Sequence, residues 1–121
     1  SKAIPGRIVD VLAVRADALE LHADALRALV AAYFQARSYW EAQPIQASAK
    51  MAPRLQTPAH EVAAMFQGLH VPDLPTNRRM LAPDGAFHRT SQELQRVMVE
   101  AGLLRKISHA KEIADLRLLP K

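Results

Sequence analysis

The sequence predicts a mainly α chain with one N-terminal β-strand, and three observations carry that expectation. The stretch Ile8-Val9-Asp10-Val11-Leu12-Ala13-Val14-Arg15 is apolar at six of its first seven positions, and Ile8, Val9, Val11 and Val14 are β-branched. An unbroken run of this kind reads as a strand covered on both faces, the pattern of a parallel sheet. Beyond it the apolar residues recur at three- and four-residue spacing, which is the helical period. Proline and glycine punctuate that part into about five helices.

The strand is expected over residues 7–15. The clearest helix runs from His22 to Gln43, with Leu26, Leu29, Val30, Tyr33, Ala36 and Trp40 lining one face. Asp24 suits its first turn, where the helix dipole favours negative charge. Gln43-Pro44 ends it, because a residue before proline avoids the helical region. A shorter helix from Ile45 to Leu55 is limited by Pro53. Thr57 as N-cap and Pro58 as first helical residue start the next helix, which reaches Gln67 and stops at Gly68. His70 to Asp84 holds Pro72, Pro75 and Pro83, so it reads as extended chain with one helical turn from Asn77 to Leu81.

Gly85 is another break. Thr90 to Glu93 has capping-box spacing, although the helix could begin a turn earlier. Leu94, Val97, Met98 and Ala101 form that helix's stripe, and Gly102 caps it. A short helix from Ala110 to Leu116 is expected last. The aromatic cluster of Tyr33, Phe34, Tyr39 and Trp40 is expected to pack in the core.

A lone strand is a problem, because buried backbone donors and acceptors left unpaired are costly. With no second strand in the chain, the expected partners of 7–15 lie outside it. An apolar edge of that kind pairs readily with another copy. The isolated chain is therefore expected to be a homo-oligomer, with Ile8, Val9, Val11, Leu12 and Val14 near the contact.

Composition bounds the chemistry. The 121 residues suffice for one domain of modest core, and 50% are hydrophobic. There is no cysteine, hence no disulfide framework and no thiolate metal site. No stretch is long and apolar enough to span a bilayer, and the opening residues carry no signal-peptide pattern. His60-Glu61 begins like a zinc-protease motif, but Ala64 stands where the second histidine belongs, so no metal is expected. No nucleophile elbow and no glycine-rich phosphate loop occurs, and the chain has only four glycines. These absences give the expectation of a non-enzyme without cofactors.

The net charge of +4 and a pI near 9.9 raise nucleic-acid binding. Residues 49–68 read as helix, tight turn, helix, the outline of a helix-turn-helix DNA-binding domain. From Leu55 to Asn77, however, there is no lysine or arginine, and phosphate contacts dominate affinity for DNA. No nucleic-acid partner is expected. A plain helical protein-interaction module is the other alternative.

Taken in order, IPGRIVDVLAVRADAL, HADALRALVAAYFQARSYW, MAPRLQTPAHEVAAMFQGL and VPDLPTNRRML resemble the C-terminal part of a family. The family is that of the substrate-binding proteins of ABC importers for nitrate, alkanesulfonates, taurine and related small molecules. Each motif is degenerate, and the specificity lies in their order and spacing across almost the whole chain. The resemblance implies a two-lobed α/β periplasmic-binding-protein fold with a ligand cleft between the lobes. This chain would be the segment that returns to the first lobe, without that lobe's early strands or any of the second lobe. It also implies solute capture and delivery to an ABC permease, outside the cytoplasmic membrane and without catalysis. The chain by itself is not expected to bind solute.

Three residues are singled out as ligand-binding candidates on that reading. Pro5 and Gly6, following Ile4, would lie at the crossover between lobes, where a fixed bend and a close backbone approach are useful; a frayed terminus is the simpler alternative. Asp10 interrupts the apolar run, so its carboxylate must be solvated or partnered. It either faces a cationic or hydrogen-bond-donating group of a ligand or accepts backbone N–H groups at the hinge. A bare anion suits it poorly, because like charges repel.

Overall fold

The computed structural model describes residues 8–108 and 113–121. In order it contains helices α1 (Ala16–Leu21), α2 (Ala23–Ala42), α3 (Pro44–Leu55), α4 (Ala59–Met65), α5 (Leu74–Leu81) and α6 (Ala86–Glu100), then a 3-10 turn at Leu116–Leu118. The chain is thus mainly helical, and no strand occurs among the described residues.

Local chemistry explains the boundaries. Arg15 reaches across the start of α1 to Asp17 at 2.6 Å, and Asp17 also accepts the Ala18 N–H. His22, at φ −127°, breaks α1 from α2. α2 ends where Gln43 precedes Pro44, and the Gln43 N–H closes the last turn onto Tyr39. Pro44 then opens α3, where its missing N–H costs nothing. Gln56 leaves α3 in the left-handed region at φ 52°, a conformation that usually falls to glycine or asparagine. The turn it makes sets α4 against α3.

These two helices supply the buried residues Ala47, Ser48 and Val62. Val62 is fully buried, and the small side chains of Ala47 and Ser48 let the backbones approach. The Trp40 and Phe66 rings, 4.6 Å apart, tie the end of α2 to the end of α4. Arg37 works beside them. It pairs bidentately with Glu41 at 2.8 and 2.9 Å and donates to the Val71 carbonyl at 2.9 Å. That bond anchors the extended 70–73 segment to α2 and so aims α5.

Asp73 caps α5 by accepting the Thr76 N–H at 2.8 Å, and Asn77 donates back to the Pro72 and Asp73 carbonyls. Gly85 joins α5 to α6. A Cβ there would collide with the Met80 carbonyl and lie 2.6 Å from the Arg79 carbonyl oxygen, so only glycine fits. At the other end of α6, Gly102 at φ 72° turns the chain so that the Leu103 and Leu104 N–H groups close onto Met98. The 3-10 turn packs on α2, and Arg78 donates to the Pro120 carbonyl.

Several expectations need correction. Residues 9–15 form no strand; they run as irregular chain into α1, and residue 7 lies outside the described residues. The physical reason is the one anticipated: a strand exists only as part of a ladder, and the described chain offers no neighbour. The Thr57 hydroxyl donates to the Leu55 carbonyl instead of capping α4, whose N-cap position is Pro58; α4 is correspondingly short and stops at Met65. α5 is twice the expected single turn, because Asp73 caps it and Pro75 sits where proline is tolerated. α6 starts at Ala86, one turn before the Thr90 to Glu93 pattern. Of the expected last helix, residues 110–112 lie outside the described residues, and 113–115 are not helical.

The accessible surface decides how to read this arrangement. It measures 9799 Å², whereas a folded monomer of this mass exposes about 6,500 Å². Set against roughly 19,400 Å² for the unfolded chain, folding buries only about half, less than even a 60-residue domain manages. The exposed surface includes expected core. Leu29 and Tyr33 on α2 are 53% and 48% exposed, and Leu94 and Val97 on α6 are 53% and 59%. In α2 it is Leu26, Val30, Phe34, Arg37 and Trp40 that turn inward, each only partly covered.

Candidate functional site

The segment 8–14 carries the sequence-based site. Ile8, Val11 and Leu12 are more than half exposed, and Asp10 is exposed beside them. No backbone hydrogen bond among the described residues uses residues 8–14, and the first carbonyl recruited is that of Arg15, by Leu19 at 2.9 Å. Asp10 takes part in no hydrogen bond or ion pair among the described residues. Pro5 and Gly6 lie outside the described residues. The three candidates are therefore not brought together into a site by what is described.

Two surface depressions lie elsewhere. One, of about 400 Å³, sits at the α5–α6 junction between Arg79, Met80, Gly85 and Arg89. Its arginines are already engaged: Arg79 donates to the Thr76 hydroxyl at 2.8 Å and Arg89 to the Asp84 carbonyl. The other, of about 270 Å³, lies between α1, α2 and the 3-10 turn, with Glu20, Arg27, Asp115 and Arg117 on its walls. There the Arg117 guanidinium, joined by its own backbone N–H, holds the Asp115 carboxyl below the usual carboxylate range. Neither depression is lined by Asp10.

The remaining motifs are also placed. His60 is exposed and stands 3.6 Å from Glu61. Among the described residues no three metal-ligating side chains converge. No described helix is long and apolar enough to cross a membrane. α3 and α4 do form a helix-turn-helix outline, but the second helix has seven residues and begins with Glu61 in its first turn. Lys50 on α3 lies over the Tyr39 ring, 4.6 Å from its centre. The outline thus presents a carboxylate where phosphate binding needs cations.

Sequence reasoning gave Arg37 no role, although it fixes the 70–73 segment and its side chain is only 15% exposed. The available signal was its position inside the apolar stripe of α2, with Glu41 four residues on.

Comparison with protein-family models, with curated proteins and with solved structures gives no match for this chain.

Proposed function

We propose that this chain is the C-terminal segment of a solute-binding protein of an ABC importer, of the nitrate, sulfonate and taurine class. It returns to a first lobe whose sheet is encoded elsewhere, and it takes part in capture and delivery without catalysis. The observation that carries the reading is the segment 8–14: a β-branched apolar run, exposed through residue 13 and without a backbone hydrogen bond among the described residues, directly before a set of half-covered helices. A sheet from the same protein would pair the one and cover the others. The resemblance of the four ordered sequence blocks supports the class. Pairing as a strand would alternate the side chains, so Asp10 would lie on one face with Ile8 and Leu12 and could reach a cleft at the sheet's end. A helical interaction module shares the exposed helix faces but gives the β-branched run no purpose.

The test is a thermal-shift and calorimetric panel of nitrate, taurine and alkanesulfonates. It is run on the longer polypeptide read from the same open reading frame and on the 121-residue chain. The longer protein should bind one class member and the short chain none. In the longer protein, Asp10→Ala should weaken binding by about 1.5–3 kcal/mol, the worth of a charge-assisted hydrogen bond, with little change in Tm without solute. A reading frame that opens within a few residues of Ser1 would end the proposal, as would a longer protein that binds none of the panel.

A further inference from the structure

The excess surface and the unpaired segment together define an interface, and we infer that in the 121-residue chain its occupant is a second copy, joined through residues 8–14 as an antiparallel two-stranded ladder about a two-fold axis at Val11. The inference rests on the exposed segment itself and holds whether or not the importer reading does.

Area selects the size of the partner. The chain exposes roughly 3,300 Å² more than a folded monomer of its mass. An encounter of standard size covers only about 800 Å² per partner, whereas an obligate homodimer covers on the order of 1,000–2,500 Å². A small ligand or peptide leaves most of the excess uncovered, whereas a symmetric copy at the upper end of that range covers about three quarters of it. A two-fold contact is self-complementary, so the same apolar segment serves both sides. Seven consecutive residues without a backbone hydrogen bond among the described residues supply the donors and acceptors of such a ladder.

Asp10 helps choose the register. An axis through Asp10 would set the two carboxylates directly opposite, which destabilises a pair. An axis through Val11, the centre of 8–14, gives the longest overlap. It places Ile8 against Val14, Val9 against Ala13, Asp10 against Leu12, and Val11 against its own copy. Val9, Val11 and Ala13 then share an entirely apolar face on both strands. That face is where the half-exposed stripe of α2 finds cover.

Because the chain has no cysteine, a single introduced one reports this geometry cleanly. A directly opposed residue pair in an antiparallel ladder has Cα atoms about 4.5–5.5 Å apart, within the reach of a disulfide. Under mild oxidation Val11→Cys should convert most of the protein to a covalent dimer, while Lys50→Cys, at an exposed position of α3, should not. Sedimentation equilibrium in the micromolar range should give the wild type twice the mass of one chain. Val11→Lys should give the mass of one chain, with helical circular dichroism retained because residue 11 lies outside every helix. A wild type that stays monomeric to a hundred micromolar overturns the inference. So does a dimer that survives Val11→Lys or leaves Val11→Cys uncross-linked, since its contact is then elsewhere. If Val11→Lys loses its helices, the cross-linking result alone decides.

Discussion

At the scale of residues, polar side chains at chain breaks do much of the organising. Asp73 is the clearest case. The Thr76 side chain first, and then the Thr76 N–H, hold its carboxyl below the usual range, with Arg37 and Arg79 adding charge at longer reach. A carboxyl whose pKa is depressed by folding stabilises the fold above its unfolded value, near 3.9, and that stabilisation is lost as pH falls through the folded value. Asp17 beside Arg15 and Asp115 beside Arg117 are depressed in the same sense. The chain should therefore lose melting temperature on acidification below about pH 4. Asp73→Asn keeps a capping side chain, so its Tm near neutrality should stay close to wild type while its acid slope is shallower. Parallel acid slopes for the two proteins would show that Asp73 is not held as described. Salt should weaken the effect, since these groups are near the surface.

At the scale of elements, the helices differ in how complete they are. α3 and α4 bury Val62 fully, whereas α2 and α6 leave half of their apolar stripes open. Two substitutions separate the cases. Val62→Ala should cost about 1.5–3 kcal/mol, because it removes buried methyl groups and leaves a void. Leu29→Lys should change the stability of the monomeric chain by less than about 0.5 kcal/mol, as exposed substitutions usually do. Urea unfolding of both variants in the Val11→Lys background, where the proposed self-association would be removed, gives the comparison. A large loss from Leu29→Lys there would mean that the open face of α2 is covered within one chain.

Much of this architecture was legible in the sequence, and the misses share a cause. α2 and α3 were readable because proline and the helical period mark their limits sharply: Gln43-Pro44 ends one and begins the other. α5 was underestimated because three prolines outweighed the Asp73 cap, yet Pro75 sits in the first turn where it does no harm. The Thr57 cap was misassigned because its hydroxyl satisfies a carbonyl behind it, at Leu55, a choice that local spacing does not reveal. The inward face of α2 was misjudged because Leu29 and Tyr33 fit the same period as Leu26 and Val30; periodicity finds an apolar face without saying what covers it. Of the candidate site, only Asp10 could be followed, and it stands exposed.

At the scale of the whole molecule, the chain leaves much apolar surface open. It buries only about half of its unfolded surface, it presents an apolar β-branched run with no ladder among the described residues, and half of the apolar stripes of α2 and α6 lies open. On the proposed function, a sheet encoded upstream of this segment would complete all three features at once, with 8–14 as one of its inner strands. Amide hydrogen exchange on the longer polypeptide tests this most directly. The N–H groups of residues 9–14 should be among the slowest in the protein, exchanging only through global unfolding, as inner strands do. Exchange of those amides at the rate of an unstructured peptide, while α3 and α4 remain protected, would contradict the account.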